Sequence, residues 1–105
     1  MARPKLPTDL LDVIAALNER EGVARLLADL LTFNEIEAVS ERWAIVKLLA
    51  AGLSQRAIRD EVGASVTTIS RGNKQLKYGE DGFALAFEKL GELGIGDPRE
   101  TGGTP

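Results

Sequence analysis

The 105-residue sequence contains no cysteine and no histidine. Without cysteine the chain has no disulfide framework and no thiolate metal site, which fits a reducing compartment. Without histidine it lacks the commonest general base and the commonest zinc ligand of proteins. The acidic residues are scattered over predicted helix faces and suggest no metal cage. These absences make an enzyme the least favoured class, and we expect no metal and no obligatory cofactor.

Long apolar runs are also missing, because charged residues interrupt them every few positions. None of them is long enough to cross a bilayer, and no uninterrupted apolar region of the signal-peptide type follows the first residues. We therefore expect a cytoplasmic protein with no membrane partner. Apolar residues still make up 44% of the chain, which is ordinary for a globular domain and excludes wholesale disorder.

Apolar residues recur at intervals of three and four along the chain, and no strand pattern stands out, so we predict an all-α fold. Residues 1–93 are predicted to form one domain, and the segment 94–105, rich in Gly, Pro and Thr, a disordered tail. Gly22 is expected to interrupt the first two helices. The second of these is rich in leucine for its length, which indicates burial on more than one side. The predicted helices cover about 9–20, 23–31, 33–51, 55–62, 66–76 and 81–93.

Local signals mark several helix ends. Thr32 and Glu35 fit the capping box, in which a hydroxyl side chain and a glutamate three residues later each bond the other's backbone amide. Ser54 and Ser65 stand at the cap positions of two short helices. Gly63, between those helices, can adopt the left-handed backbone that a tight turn needs.

Residues 54–77 have the features of a helix-turn-helix rather than of a simple αα-hairpin. Four apolar side chains are expected to meet beneath the turn and to set the angle between the two helices: Ile58, Val62, Val66 and Ile69. The second helix opens with small hydrogen-bonding side chains, which let a helix N-terminus approach base edges and phosphates: Ser65, Thr67, Thr68 and Ser70.

The charge distribution supports this interpretation. The whole chain carries a net charge of -3, yet residues 53–78 hold five basic and two acidic side chains, a local charge of +3 that leaves -6 for the rest. Phosphate binding depends on the local field, so an acidic body with a basic face is compatible with DNA binding. The alternative is that these side chains form the solvated face of two ordinary helices.

Between Leu31 and Leu76 the sequence resembles the bacterial Trp repressor family. The segment SQRAIRDEVGASVTTISRG carries the resemblance, because Arg59 and Ala64 depart from the general helix-turn-helix pattern as that family does. The loop before Ser54 is one residue shorter than in the repressor. The following segment, LKYGEDGF, is more similar to Trp repressor relatives whose ligand is not established.

This resemblance implies an all-helical, intertwined homodimer that acts as a sequence-specific transcriptional repressor on double-stranded DNA. The two recognition helices would dock in successive major grooves of a palindromic operator, roughly 34–36 Å apart, a spacing carried over from the Trp repressor itself. The residues that match the family's DNA-binding positions are Arg56, Arg59, Val66, Thr67, Thr68, Ser70 and Lys74.

The resemblance also implies a small-molecule effector, with L-tryptophan or a related indole compound as the leading candidate. In the family the ligand lies between two arginines, which correspond to Arg42 and Arg71, and a guanidinium can stack on an indole or pair with a carboxylate. Gln75 stands where the family has a serine near the ligand's ammonium group. The full set of matching positions is Thr32, Arg42, Thr68, Arg71, Gly72 and Gln75.

Each of these positions has an alternative interpretation. Thr32 is fully accounted for as a helix cap, Arg71 as a phosphate contact and Arg42 as an exposed helix charge. Trp43 belongs with the core rather than the site. At the level of function, a ligand-independent regulator and a helical protein–protein interaction dimer stay open. A module of a replication or transposition protein is disfavoured, because the chain has no P-loop and no length for one.

Overall fold

The computed structural model describes the backbone of residues 3–102 and the side chains of residues 3–100. In this range all regular structure is helical and no strand occurs, so the predicted all-α fold is confirmed. None of the described helices is both long enough and apolar enough to span a membrane. The helices are α1 (Thr8–Ala16), α2 (Arg20–Leu30), α3 (Phe33–Ala50), α4 (Gln55–Val62), α5 (Val66–Tyr78), α6 (Gly82–Glu92) and α7 (Pro98–Gly102).

The chain divides into two compact units, Met1–Ile36 and Glu37–Pro105. In the first unit the break between α1 and α2 lies at Leu17–Glu19, where Leu17 and Glu19 both have extended backbones. The prediction that Gly22 interrupts the helices is therefore wrong, because α2 runs through it. A Cβ atom at position 22 would lie 3.4 Å from Leu17 Cδ2, an ordinary van der Waals contact.

The start of α3 follows the predicted capping box. The Thr32 amide donates to Glu35 Oε1 at 2.9 Å, and the Glu35 amide donates to Thr32 Oγ1 at 3.1 Å. Two amides that the helix itself leaves unpaired are thereby satisfied.

The second unit contains the core. α4 and α5 pack on each other. Four buried residues form one cluster that joins them to α3: Ile45 of α3, Ile58 of α4, Ala64 of the turn and Ile69 of α5. Leu48, Leu49 and Val62 pack against this cluster. The prediction that Val66 also lies beneath the turn is wrong, since this side chain is 50% exposed. Ala64, in the turn itself, occupies the cluster instead.

The turn between α4 and α5 has the predicted chemistry. Ser54 Oγ accepts from the Ala57 amide at 3.1 Å, and Ser65 Oγ accepts from the Thr68 amide at 3.2 Å. Gly63 ends α4 with φ 80°, ψ 12°, the left-handed conformation. These local interactions fix where the two helices begin and end.

α6 packs on α3 through an aromatic cluster of Trp43, Phe83 and Phe87. The Trp43 ring centroid lies 5.7 Å from that of Phe87 and 6.4 Å from that of Phe83. Phe87 is fully buried. These offset ring contacts add to the apolar burial that joins the two helices.

The segment after α6 differs from the predicted disordered tail. Residues 94–102 have a described backbone, Gly94 and Gly96 turn the chain with φ of 79° and 100°, and Asp97 is buried at the start of α7. The Asp-Pro pair at 97–98 is a helix-start signal, a capping side chain followed by proline at the first helical position. Residues 103–105 of the predicted tail lie outside the described residues.

Candidate functional site

Helix α5 presents three different faces. Successive residues of an α-helix are rotated by about 100°, so residues three, four and seven apart share a face. Ile69 faces the buried cluster. Thr67 and Lys74, seven residues apart, are exposed on another face, with Val66 and Ser70 beside them. Thr68, Arg71, Gly72 and Gln75 occupy the third face and line a cavity.

This cavity lies between α3, α5 and the start of α6 and has a volume of about 710 Å³. Such a volume is typical of small-molecule sites, which span roughly 300–1,000 Å³. Three basic side chains and one acidic one line it, Arg42, Arg71, Lys74 and Glu41. The remaining lining residues are Ala38, Ile45, Thr68, Gly72, Gln75 and Phe83. The lining therefore combines a net positive charge with an aromatic and aliphatic wall.

Five of the six residues predicted to bind an effector line this one cavity: Arg42, Thr68, Arg71, Gly72 and Gln75. Thr32, the sixth, belongs to the N-terminal unit, where its hydroxyl and amide both take part in the capping box of α3. The cap interpretation thus accounts for the hydrogen bonds that the structure assigns to Thr32. Trp43, predicted to be a core residue, packs in the aromatic cluster.

Gly72 is where α5 approaches α3 most closely among the described glycines. The residue is buried, and a Cβ atom there would lie 3.0 Å from Ile45 Cγ2 and 3.7 Å from Leu49 Cδ1. A larger residue would push the two helices apart and change the shape of the cavity. Packing against α3 therefore favours a glycine here whether or not the residue touches a ligand.

The residues predicted to contact DNA lie on α4 and α5. Arg56 and Arg59 are exposed on α4, and Arg59 Nε lies 3.6 Å from Asp60 Oδ1 in a loose ion pair. On α5, Thr67 and Lys74 are exposed, Val66 is half-exposed and Ser70 is partly buried. Thr68 is also partly buried, and its hydroxyl lies 2.9 Å from Ser65 Oγ.

Four cavity residues are absent from the predicted site residues, Ala38, Glu41, Ile45 and Phe83, and Lys74 is predicted to contact DNA only. A signal for the α3 residues exists in the sequence, because Ala38 and Ile45 lie four residues before and three residues after Arg42 and so share its helix face. Glu41 lies beside that face, three residues after Ala38. Phe83 carries no such signal, because it follows a loop whose path brings it to the cavity.

Comparison with known proteins agrees with the sequence motif. The family model described as Trp repressor protein matches residues 7–91. The chain is 34% identical over 90 residues to the uncharacterized protein YerC of Bacillus subtilis (strain 168), covering 86% of each chain. It is 37% identical over 83 residues to a Trp operon repressor homolog of Chlamydia caviae, covering 78% of this chain and 82% of the relative. A Trp operon repressor homolog of Vibrio cholerae is 39% identical over 82 residues, covering 77% of this chain and 80% of the relative.

No solved structure matches the chain at a significant level. The matches nonetheless define the class of protein, a DNA-binding regulator of the repressor type. The chain belongs to the Trp repressor family, as the sequence motif predicts. The match reaches well beyond the segment 31–76 on which the resemblance was noticed.

Proposed function

We propose that the protein is a dimeric, sequence-specific repressor whose recognition helix is α5 and whose operator affinity responds to a small aromatic acid bound in the α3–α5 cavity. L-Tryptophan or a related indole compound is the leading candidate. One observation carries the proposal: α5 carries residues matched to DNA contacts and residues matched to ligand contacts on adjoining faces.

The exposed face of α5 that carries Thr67 and Lys74, with Val66 and Ser70 beside them, is its outer face. This face has the chemistry that base recognition requires. Thr67 and Ser70 offer hydroxyl groups, and the Val66 side chain, 50% exposed, can contact a thymine methyl group. Arg56 and Arg59 on α4 and Lys74 on α5 supply the positive charges that phosphates attract. The start of α5 thus provides sequence specificity, and the surrounding basic side chains provide affinity for the phosphates.

The cavity has the chemistry that an aromatic carboxylate requires. Arg42 and Arg71 each offer a planar guanidinium that can pair with a carboxylate in two parallel bonds or stack on a ring. The Phe83 ring provides an aromatic wall. Glu41 offers a carboxylate that can pair with the ammonium group of an amino acid. An indole acid has no ammonium group to make this pair.

The shared helix provides the coupling between the two sites. A ligand wedged between α3 and α5 contacts Arg42 on one helix and Arg71 on the other, so it favours one relative orientation of the two. By linkage, a ligand that prefers the DNA-competent orientation raises operator affinity, and DNA raises ligand affinity by the same factor. Lys74 lines the cavity and also lies on the outer face, which makes it a direct link.

Exposed apolar side chains support the dimer. Phe33 is 88% exposed and Leu85 is 65% exposed in the single chain, and α2 has no buried residue despite its leucines. Large exposed apolar side chains of this kind mark association surfaces. Besides Val66 on the DNA-facing side of α5, the others are Leu6, Leu11, Val13, Leu30, Val39, Leu53, Tyr78, Leu93 and Ile95.

The test has three parts, performed on the full chain. Sedimentation at micromolar concentration measures the oligomeric state, selection from a randomised duplex pool finds the preferred DNA, and calorimetry measures binding of aromatic amino acids and indole acids. We expect a dimer, an enriched palindrome, and a ligand that changes the affinity for that palindrome in the wild type. Arg42→Ala should abolish the ligand response and keep the dimer.

Arg25→Ala is the matched control, since Arg25 is 78% exposed on α2 and pairs with Glu21 outside the cavity. It should leave ligand binding unchanged. If no aromatic acid binds the wild type, the effector part fails while DNA binding stands. If the pool yields no enriched sequence, the sequence-specific repressor itself is refuted.

A further inference from the structure

The C-terminal segment, residues 94–102, lies beyond the matched family region, which ends at residue 91. It is nevertheless tied into the second unit. Asp97 is 5% exposed, and the segment around it is a turn of helix that follows two left-handed glycines. An acidic side chain is almost never buried without a partner, so the partner of Asp97 indicates what the segment does.

That partner is Arg99. The guanidinium Nη2 donates to Asp97 Oδ2 at 2.6 Å, and Nε lies 3.0 Å from both carboxylate oxygens. The Arg99 amide also donates to Asp97 Oδ1 at 2.8 Å, which caps α7. The hydrogen bonds from Arg99 lower the pKa of Asp97, and the same pairing raises the pKa of Arg99. Both groups are thus held charged and in a fixed geometry.

The fixed guanidinium lies under the junction between α5 and α6. Its central carbon is 5.7 Å from the centre of the Phe87 ring, within the range of a cation–π contact. Arg99 also lines a cavity of about 240 Å³ together with Gln75 and Leu76 of α5. The other lining residues are Asp81, Phe83, Ala84 and Phe87. The arginine therefore faces the last turn of α5 and the first turns of α6 at once.

The junction itself is conformationally restricted. A Cβ atom at Gly79 would lie 2.4 Å from the Gln75 carbonyl oxygen, so only glycine fits where α5 ends. Asp81 has φ 63°, an uncommon left-handed backbone for a residue with a side chain. Because such conformations persist only when surrounding packing holds them, the exit angle of α5 depends on what lies beneath it.

Pro98, between Asp97 and Arg99, lies near the end of α4, the first helix of the helix-turn-helix. Pro98 lines an open groove of about 400 Å³ with Leu48 of α3 and with Glu61 and Val62 at the end of α4. The short segment thus borders two cavities whose other walls come from α3, α4, α5 and α6, within one compact unit.

We propose that Asp97 and Arg99 are positioning residues for α5: their ion pair fixes the C-terminal segment beneath the α5–α6 junction and so holds the orientation in which α5 reads DNA. The inference rests on the proposed role of α5 as recognition helix. Arg99 acts through Phe87 and the last turn of α5, and touches no DNA.

If Arg99 contacted DNA directly, the substitutions would change DNA affinity in a different way. If Arg99 were a phosphate contact, Arg99→Ala would weaken binding to every duplex and lower the salt slope by about one unit. Asp97→Asn would then strengthen binding, since it removes a negative charge beside that contact. In the positioning role, both substitutions weaken binding to the preferred sequence, and non-specific binding hardly changes.

The experiment compares Arg99→Ala, Arg99→Lys and Asp97→Asn with Lys89→Ala, a control that removes one positive charge from a 68% exposed pair on α6. Binding to the duplex selected by the wild type and to a scrambled duplex is measured by fluorescence anisotropy at several salt concentrations. Amide hydrogen exchange follows the last turn of α5, where the Gly79 amide donates to the Gln75 carbonyl at 2.9 Å. All measurements are made far below each variant's unfolding temperature.

We expect Arg99→Ala and Asp97→Asn to lose about 3- to 30-fold in affinity for the selected duplex, the range in which remote residues modulate a site. Their affinity for scrambled DNA and their salt slopes should match those of Lys89→Ala, and exchange at the end of α5 should be faster. Arg99→Lys keeps the charge but loses the bidentate fork, so it should fall between wild type and Arg99→Ala.

Equal losses on both duplexes, a gain in Asp97→Asn, or unchanged exchange at the end of α5 would each overturn the proposal. If Arg99→Ala does not fold, Asp97→Asn and Arg99→Lys decide it by the same measurements. If the wild type selects no duplex, the repressor function fails by itself, and hydrogen exchange alone then decides whether the pair holds α5.

Discussion

Replacing Gly72 with alanine tests the close approach of α5 to α3. Two effects oppose each other. Alanine is favoured over glycine in a helix interior by about 1 kcal/mol. The added Cβ, however, would lie 3.0 Å from Ile45 Cγ2, closer than ordinary van der Waals contact, and 3.8 Å from Val46 Cγ1.

The neighbouring side chains have little room to yield, since Ile45 is 1% exposed and Val46 is 0% exposed. Overpacking a core of this kind costs about 1–3 kcal/mol. We therefore expect Gly72→Ala to change the free energy of unfolding by about 0 to 2 kcal/mol in the destabilising direction, after the helix propensity gain is subtracted.

Gly91→Ala is the matched control. Gly91 lies in α6, and the nearest atom to an added Cβ is Asp97 Cβ at 4.0 Å, so no clash opposes the propensity gain. This variant should be stabilised by up to about 1 kcal/mol. Urea unfolding at one protomer concentration measures both variants, because a dimer's stability depends on concentration. If Gly72→Ala is stabilised as much as Gly91→Ala, α5 does not approach α3 as closely as described.

Four further predictions concern the helix-turn-helix, residues 54–77, and the C-terminal segment. Thr67→Ala should alter preference among selected duplexes more than affinity for random DNA, and an equal loss on random DNA would contradict base reading. Arg59→Ala should weaken binding to all sequences and flatten the salt dependence by about one unit, as anisotropy titrations at several salt concentrations would show. Ser65→Ala and Ser54→Ala each remove a helix cap and should each cost about 1 kcal/mol in urea unfolding, but only Ser65→Ala, which also frees the Thr68 hydroxyl, should lower affinity for the selected duplex. Because folding lowers the pKa of Asp97 below its ordinary value of 3.8, its charged form stabilises the native state above that pH and the contribution disappears as the pH falls further. The stability difference between wild type and Asp97→Asn should thus narrow below about pH 4 in acid titrations followed by circular dichroism, and a constant difference would refute the assignment.

The sequence predicts the fold class, the family and five of the ten residues that line the cavity. Arg42, Thr68, Arg71, Gly72 and Gln75 were placed together by family resemblance, and the structure brings them to one cavity. Phe83 was missed because a loop containing Gly79 and the left-handed Asp81 decides where α6 starts. The helix α7 is not predicted because the composition of the segment is typical of a tail, although the Asp-Pro pair at 97–98 is a helix-start signal.

Local interactions explain what the sequence alone determined. The capping box at Thr32 and Glu35, the serine caps at positions 54 and 65 and the left-handed Gly63 all lie within four residues of the groups they satisfy. Only the tertiary structure decided that α2 runs through Gly22, that Val66 is exposed, and that Arg99 pairs with Asp97 beside the last turn of α5. Those outcomes depend on side chains from distant segments meeting in space, which no local periodicity encodes.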